Sequence, residues 1–556
     1  MKTWTLVLTA FASAVSTLLA SAPFGIGFAA IAAPLCLIVI ALGAKTTKGA
    51  LSWIFVFQLP LWLWLHSWVA DVALAGWFGL GFYMSIWAPL FVLAVRHVQR
   101  RTSISIVLYA PILWVGLECI RGIVLFDGYP WYLAGTGILD LPIVSIASFG
   151  SVWSASFLVI AIAAALAAFR SLHWWTWASL AVVCIFFIVE GQPIENESNA
   201  RMNVAVIQTN VSQSNKVAWL WESQFIEVSQ AIAMTKEATM QQDANPSLII
   251  WPETMLPGSG FEVTRNDFAP WIDSFEPCWV WPEKILEVAS ELKIPILVGS
   301  QTHTAIKIIE HEQTLHPEFD TIYNSAVLVT PNGETQRYDK IFLTPFGETI
   351  PYLNIFPALQ EWVRNTFGAA MLFNVDAGGA PHRFTVQCDS VASENSAEIT
   401  FATPICFEDT VPSVVRELVW EDGKRVAGAL INLSNDGWFS DDDAARLQHV
   451  REARMRCIEN LTPMVRAANT GLSCLIDAGG RMKVRAQVDG KIALRQSAIL
   501  HATVIDGQGK PLSRFVGDAV AWLSLIGGIL LVVRSSFLRS KEHAEQNKES
   551  NETIST

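Results

Sequence analysis

The chain has 556 residues, 52% of them hydrophobic and 16% charged, with a formal net charge of −12. That balance is too apolar for an ordinary soluble enzyme and the length too great for one domain, so part of the chain is expected in a membrane. There is no basic patch with interleaved aromatics, which excludes nucleic acid as the expected partner.

In chain order, runs of about 20 apolar residues, enough to cross about 30 Å of hydrocarbon, fall near 4–21, 23–43, 49–67, 74–96, 104–124, 143–169 and 174–190, and a last one near 516–536. This predicts about seven spans within residues 1–195, a polar block over 196–510, a closing membrane helix over 511–540 and a tail over 541–556. Lys2, Lys45, Lys48, Arg96, Arg100, Arg101 and Arg170 occupy every second loop, and Arg534, Arg539 and Lys541 follow the last run. By the positive-inside rule the polar block lies outside the cytoplasm. Lys2, the apolar run after it and LLASA near residue 20 also read as a cleavable signal peptide, which would leave the remaining topology unchanged. The tail SKEHAEQNKESNETIST has no apolar periodicity and reads as disordered.

The polar block alternates β-branched runs with helical stretches, the pattern of a layered α/β domain. Strands are predicted at 203–208, 247–251, 295–301, 324–330, 398–406, 428–434 and 471–477, with helices at 215–240, 282–292 and 442–461. Two long insertions, 254–284 with Trp271, Trp279 and Trp281, and 349–382 with Tyr352, Phe356, Trp362 and Phe367, have the aromatic content of lids or binding surfaces. Cys278, Cys388, Cys406, Cys457 and Cys474 lie in this block, an odd number, so at least one thiol stays free; a Cys278–Cys388 bridge is one possible pairing. No CxxC or Cys/His metal spacing occurs, and His449 has no second His at ligand spacing, so neither metal nor cofactor is expected. His449 shares its helix with Arg451 and Arg454 and reads as a structural or surface group.

Three short runs carry chemistry: IIWPETMLPG with Glu253, YDKIFLTPFGETIP with Lys340, and TPICFEDTVP with Cys406. A thiol attacks as thiolate, and an unperturbed one is only a few per cent ionised at neutral pH, so a neighbouring base must take its proton. Glu253, where an apolar strand runs out, can be that base, since strand ends are where α/β folds display reactive groups. Attack on an ester or amide carbonyl builds negative charge on oxygen, which a fixed ammonium and a backbone N–H stabilise. Lys340 supplies the first and Phe407, next after the nucleophile, the second. Each residue alone has a plainer reading, as a packing thiol, a surface turn or a solvated cation; the three together, each placed at a strand end, are harder to explain that way. Glu118 and Arg121, near the outer end of a span, would be expensive facing lipid and read as a structural ion pair joining the spans to the outer domain.

These three runs resemble the Glu-Lys-Cys triad of the nitrilase superfamily, and LINLSNDGWF with QHVREARMRCIENLTPMVRAANTG resembles that superfamily's later strand and charged helix. A second match is independent. PILWVGLECIRGIVLFDGYPW, with Trp114, Glu118, Arg121, Gly122, Pro130 and Trp131, resembles the membrane part of the apolipoprotein N-acyltransferase branch, as do QTNVSQSNK, PFGETIP and SNDGWF. The resemblance implies a multi-pass α-helical membrane domain joined to an α-β-β-α nitrilase-like extracytoplasmic domain in the bacterial inner membrane. It also implies a ping-pong transfer in which Cys406 takes an acyl chain from a phospholipid as a thioester and delivers it to the N-terminal amine of a diacylglyceryl-cysteine lipoprotein. Glu348 and Glu408 match supporting acids, Trp219 corresponds to a substrate-contacting Trp, and Phe407 stands where that family often has Tyr, keeping the ring and backbone N–H without the hydroxyl. No oligomer is required, so a monomer is expected. Two rival functions use the same sequence: a membrane-tethered amidase that sends water to the thioester, and a non-catalytic membrane scaffold.

Overall fold

The structure, a computed structural model, describes residues 1–190, 200–212, 220–240, 245–268, 276–311, 314–352, 375–390 and 397–554. They form two compact units, Met1–Gln192 with Val516–Thr556, and Pro193–Phe515.

In the first unit six helices are long and apolar enough to cross a membrane: Thr3–Ala20, Thr47–Leu65, Leu74–Gln99, Ile106–Asp127, Pro142–Ala167 and Ala519–Phe537. Gly27–Gly43 and Trp174–Val189 are shorter apolar helices. Their outward residues stay apolar, with Phe28 73% and Leu523 67% exposed, which suits hydrocarbon rather than water. Polar groups turn inward instead: Ser13 donates to the Ala33 carbonyl at 3.1 Å, and Trp153 Nε1 to Asp518 Oδ1 at 2.9 Å. Glu118 and Arg121, expected as an ion pair, divide their work. Arg121 donates to the carbonyls of Tyr129 and Trp131 at 3.2 and 2.7 Å, while Glu118 Oε1 accepts from the Ala134 N–H at 2.7 Å. Between them they satisfy the backbone of the irregular stretch after helix Ile106–Asp127, where unpaired groups would be costly at membrane depth.

The final helix also departs from expectation, since it continues to Ile554 through the stretch read as disordered. Ala, Glu, Gln and Lys are good helix formers, and extending an existing helix avoids the cost of nucleation.

The second unit is built on a 12-stranded sheet. Its strands are β1 (Ala200–Gln208), β2 (Leu248–Ile250), β3 (Ile296–Thr304), β4 (Thr321–Val329), β5 (Thr335–Asp339), β6 (Arg383–Ser390), β7 (Ala397–Ala402), β8 (Ala429–Ser434), β9 (Met464–Ala468), β10 (Cys474–Ile476), β11 (Met482–Arg485) and β12 (Ala498–Ile505). The order is β11-β10-β9-β8-β7-β6-β1-β2-β3-β4-β5, with β12 antiparallel to β1 along Arg201–Gln208. Among the described residues β1 pairs with β6 at Ala200 and Arg201, so the sheet is two halves joined by a short ladder. Parallel pairings β1–β2, β2–β3, β7–β8 and β8–β9 form the centre of each half. Every residue of β8 and β9 is buried, as parallel strands covered on both faces require. Helices Trp221–Met240 and Glu276–Leu292 cover the first half, packing Val228, Ala231, Ile285 and Val288 against Ile207, Ile249 and Val298. Helices Pro412–Val419 and Asp443–Asn460 belong to the second half, completing the α-β-β-α order.

Two expectations are corrected in this unit. Trp279 and Trp281, read as lid surface, are 7% and 4% exposed within helix Glu276–Leu292, because their indoles close the core over Phe268 and Ile285. No disulfide joins Cys278 and Cys388, or any other pair of the described cysteines. Trp219, Trp271, Phe356, Trp362 and Phe367 lie outside the described residues.

Candidate active site

Strand ends and the turns after them place the chemical groups. Glu253 follows β2 by three residues, in a turn that carries Thr254 at φ +51°. That turn lies against Gly299 of β3, where an added Cβ would come within 2.5 Å of Glu253 Cα. Only glycine allows the neighbouring strand so close. Glu253 is 6% exposed, and its oxygens accept from Asn324 Nδ2 and from the Asn435 N–H, both at 2.8 Å.

Lys340 directly follows β5, and its N–H is tied to the Asn324 carbonyl at 2.9 Å. Its ammonium is 1% exposed, pairs with Glu348 Oε2 at 2.6 Å and donates to Thr344 Oγ1 at 3.3 Å. Burial favours the neutral amine, but the Glu348 and Glu253 carboxylates outweigh it, so Lys340 is held charged. Burial likewise opposes ionised Glu348, yet Lys340 and the Thr344 and Asn324 donors keep its pKa below the usual range. Asn324 donates to Glu253 and, at 3.1 Å, to Glu348, so one amide spaces the two carboxylates.

Cys406 does not end a strand as expected. β7 stops at Ala402, and Cys406 opens a 3-10 turn over Cys406–Thr410. Its φ is +52°, a left-handed conformation that costs a non-glycine residue about 1–3 kcal/mol and persists only where neighbours impose it. Glu408 is one such neighbour. Fully buried, it accepts from the N–H groups of Ile405, Ile341 and Phe342 at 2.7, 2.8 and 2.9 Å, and from Tyr338 Oη at 3.0 Å. Glu408 therefore fastens the Cys406 turn to the Lys340 loop. Burial raises its pKa to about 7, with Lys340 and those donors pulling the other way. Phe407 stacks on Phe342 with ring centroids 6.2 Å apart, closing the same joint.

Glu253, Lys340, Glu348 and Asp436 are all charge-coupled to the Cys406 sulfur. Burial and the Glu253 charge push the thiol well up, against the pull of Lys340. The resting sulfur is thus protonated with a carboxylate and an ammonium beside it, an arrangement in which proton loss and nucleophilic attack are naturally concerted. The five residues Glu253, Lys340, Glu348, Cys406 and Glu408 come together from three separate segments.

Sequence reasoning missed a second layer of groups. Asp409, Asp436, His449 and Arg466 form a fully buried charged network that reaches the Cys406 turn through Asp409. His449 is 2% exposed, so it is structural and not a surface group. Asp436 sits at φ +51° facing Gly471, where any Cβ would collide with its Oδ2. Burial and Arg466 lower the His449 pKa, but the Asp409 and Asp436 charges prevail and raise it from 6.5 to about 9. A folded-state pKa above the unfolded value means that the folded protein binds the extra proton; its stabilising effect is complete below pH 6.5 and lost as pH rises through about 9. Glu408, raised from 4.5 to about 7, acts in the same direction at lower pH. The melting temperature is therefore expected to fall between pH 6.5 and 9, and His449→Gln to flatten that part of the curve in a thermal-denaturation series.

Comparison with known proteins agrees over both units. The profile described as "Apolipoprotein N-acyltransferase N-terminal domain" matches residues 13–165, and that described as "Carbon-nitrogen hydrolase" matches residues 203–503. The apolipoprotein N-acyltransferase of Geobacter metallireducens is 28% identical over 541 residues, covering 90% of this chain and 87% of that protein. That of Vibrio vulnificus is 27% identical, covering 90% and 91%. Among solved structures, a Saccharomyces cerevisiae member of branch 10 of the nitrilase superfamily covers 58% of this chain and 95% of its own, at 15% identity and a TM-score of 0.33.

Proposed function

The chain belongs to the carbon-nitrogen hydrolase family, in the branch that carries an apolipoprotein N-acyltransferase N-terminal domain, and from that premise we propose a phospholipid-to-lipoprotein acyl transfer through Cys406. The acceptor is the free N-terminal amine of a lipoprotein's diacylglyceryl-cysteine, and the enzyme works as a multi-pass membrane protein with its sheet unit on the extracytoplasmic side. The observation that carries this reading is the buried joining of three segments, in which Asn324 bonds Glu253 and Glu348, Glu348 pairs with Lys340, and Glu408 ties the Cys406 turn to the Lys340 loop, in a chain whose described residues include six helices fit to cross a membrane.

In the first half-reaction Glu253 takes the thiol proton as sulfur attacks the acyl ester carbon of a phospholipid. Negative charge moves to the carbonyl oxygen, where the Lys340 ammonium and the Phe407 N–H stabilise it. Collapse breaks the ester C–O bond; the leaving lysophospholipid oxygen recovers the proton from Glu253, and a thioester remains. In the second half the lipoprotein amine attacks that thioester, gives its proton to Glu253 and forms an amide, and the departing sulfur is reprotonated. Glu348 and Glu408 hold Lys340 and the nucleophile turn in register, and Trp219 and Phe407 are assigned to substrate contact. No step calls for a metal or cofactor, and a single chain suffices.

The test is intact-protein mass spectrometry of the full chain incubated with phospholipid, then with a diacylated lipopeptide. The expected result is one acyl adduct at Cys406 that disappears as the triacylated peptide forms. Loss of the adduct to free fatty acid at the same rate without peptide would identify a hydrolase, and no adduct at all would sink the covalent mechanism.

A further inference from the structure

Behind the nucleophile lies a charge cluster that the reaction above does not use. Asp409 is three residues beyond Cys406 in the same 3-10 turn, and Asp436 follows β8 in the SNDGWF run. His449, from helix Asp443–Asn460, spans them: Nε2 lies 2.9 Å from Asp409 Oδ1 and Nδ1 lies 2.8 Å from Asp436 Oδ1. Arg466 of β9 pairs with the remaining Asp409 oxygen and, at 2.9 Å, with Asp436 Oδ2. Ser434 Oγ also donates to Asp436 Oδ1 at 2.8 Å. All four ionisable side chains are at most 2% exposed.

Both His449 ring nitrogens face carboxylate oxygens, and a neutral imidazole could donate to only one of them, leaving a lone pair against the other. Two N–H donors satisfy both. Arg466 Nη2, 2.9 Å from Nδ1, opposes a second positive charge, and the two carboxylates outweigh it. The cluster is then two anions and two cations, neutral as a whole. Asp436 is one of the negative groups felt at the Cys406 sulfur. Arg446 is a further buried cation nearby, bonded to Asp443 Oδ1 and the Ser440 carbonyl.

We propose that His449 is a positioning residue for the acyl transfer: by bridging Asp409 and Asp436 it holds the left-handed Cys406 turn from behind and cancels negative charge that would otherwise oppose thiolate formation. This rests on Cys406 being the nucleophile. Without the imidazolium, two buried carboxylates share Arg466, and the surplus negative charge raises the energy of the thiolate that opens the turn holding Asp409.

The experiment follows alkylation of Cys406 by iodoacetamide in the detergent-solubilised full chain, resolved by peptide mass across a pH series. His449→Gln should slow alkylation at neutral pH by about tenfold and move the rate profile to higher pH by about one unit. Adding Asp436→Asn, which removes one anion as well, should recover at least half of that loss. A role confined to packing predicts the reverse, since a second lesion in a buried network leaves the site no better than the first. The proposal is overturned by an unshifted profile in His449→Gln, by a double variant slower than the single one, or by failure of both variants to fold, which would make the network a requirement of folding alone. Because alkylation needs no lipid, the wild-type phospholipid adduct separately decides whether Cys406 is the nucleophile at all.

Discussion

Cys406→Ala is expected to abolish both the acyl adduct and lipopeptide acylation, and Cys406→Ser to reduce transfer by a factor on the order of 10⁴ or more, as loss of a nucleophile does elsewhere. The asymmetry between sulfur and oxygen has a physical source here. Even the thiol is held protonated by burial and by Glu253, so ionisation already works against the surroundings. A hydroxyl is far harder to ionise, and the carboxylate that serves a thiol is too weak a base for it. Fold is not at stake in either variant, because Ala and Ser meet the same backbone strain as Cys at φ +52° and the turn's anchors, Glu408 and Asp409, are untouched. Thermal melts should match wild type while phospholipid turnover disappears. Palmitate transfer by Cys406→Ala at a wild-type rate would refute the assignment.

Lys340→Met should lower acylation by about 10²–10³, the usual consequence of removing one oxyanion partner. It should also destabilise the protein by about 3–5 kcal/mol, because a buried carboxylate is left without its counter-charge. The two effects have different origins and can be separated. Stability is lost through Glu348, which Lys340 holds ionised at 2.6 Å. Adding Glu348→Gln should therefore restore much of the melting temperature, yet leave acylation slow, since the cation proposed to meet the developing oxyanion is still missing. If the double variant regained activity together with stability, Lys340 would be a structural counter-ion only.

The local signals were strong where chemistry and backbone coincide within a few residues. Glu253 at the end of an apolar run, Lys340 in YDK and Cys406 in an acid-rich turn could each be picked from the chain, as could the apolar runs of the first unit. So could β1, β2, β3, β4 and β8, whose β-branched cores are buried and short. Weaker signals failed for identifiable reasons. β6 and β12 mix polar residues into an alternating pattern, RFTVQCDS and AILHATVI, since part of each strand stays accessible, and they read as neither strand nor helix. Trp279 and Trp281 looked like surface aromatics because nothing local reveals that a helix starting at Glu276 turns both indoles inward. Asn324 lies in an apolar strand with no marker of its own, yet it spaces Glu253 from Glu348.

What the amino-acid order settles by itself is the inventory: which residues are apolar enough for a bilayer, which segment can form a layered α/β fold, and which side chains can act as base, cation and nucleophile. Hydrophobicity, periodicity and ionisable chemistry are properties of short windows, so short windows disclose them. The tertiary structure decides the electrostatics. Glu253, Lys340 and Cys406 are separated by 87 and 66 positions in the sequence, and their mutual fields exist only once two half-sheets bring β2, β5 and the turn after β7 to one place. The Asp409–His449–Asp436–Arg466 network depends on the fold in the same way. Charge coupling falls off with distance through space and is blind to distance along the chain, so no reading of neighbours in sequence could have found it.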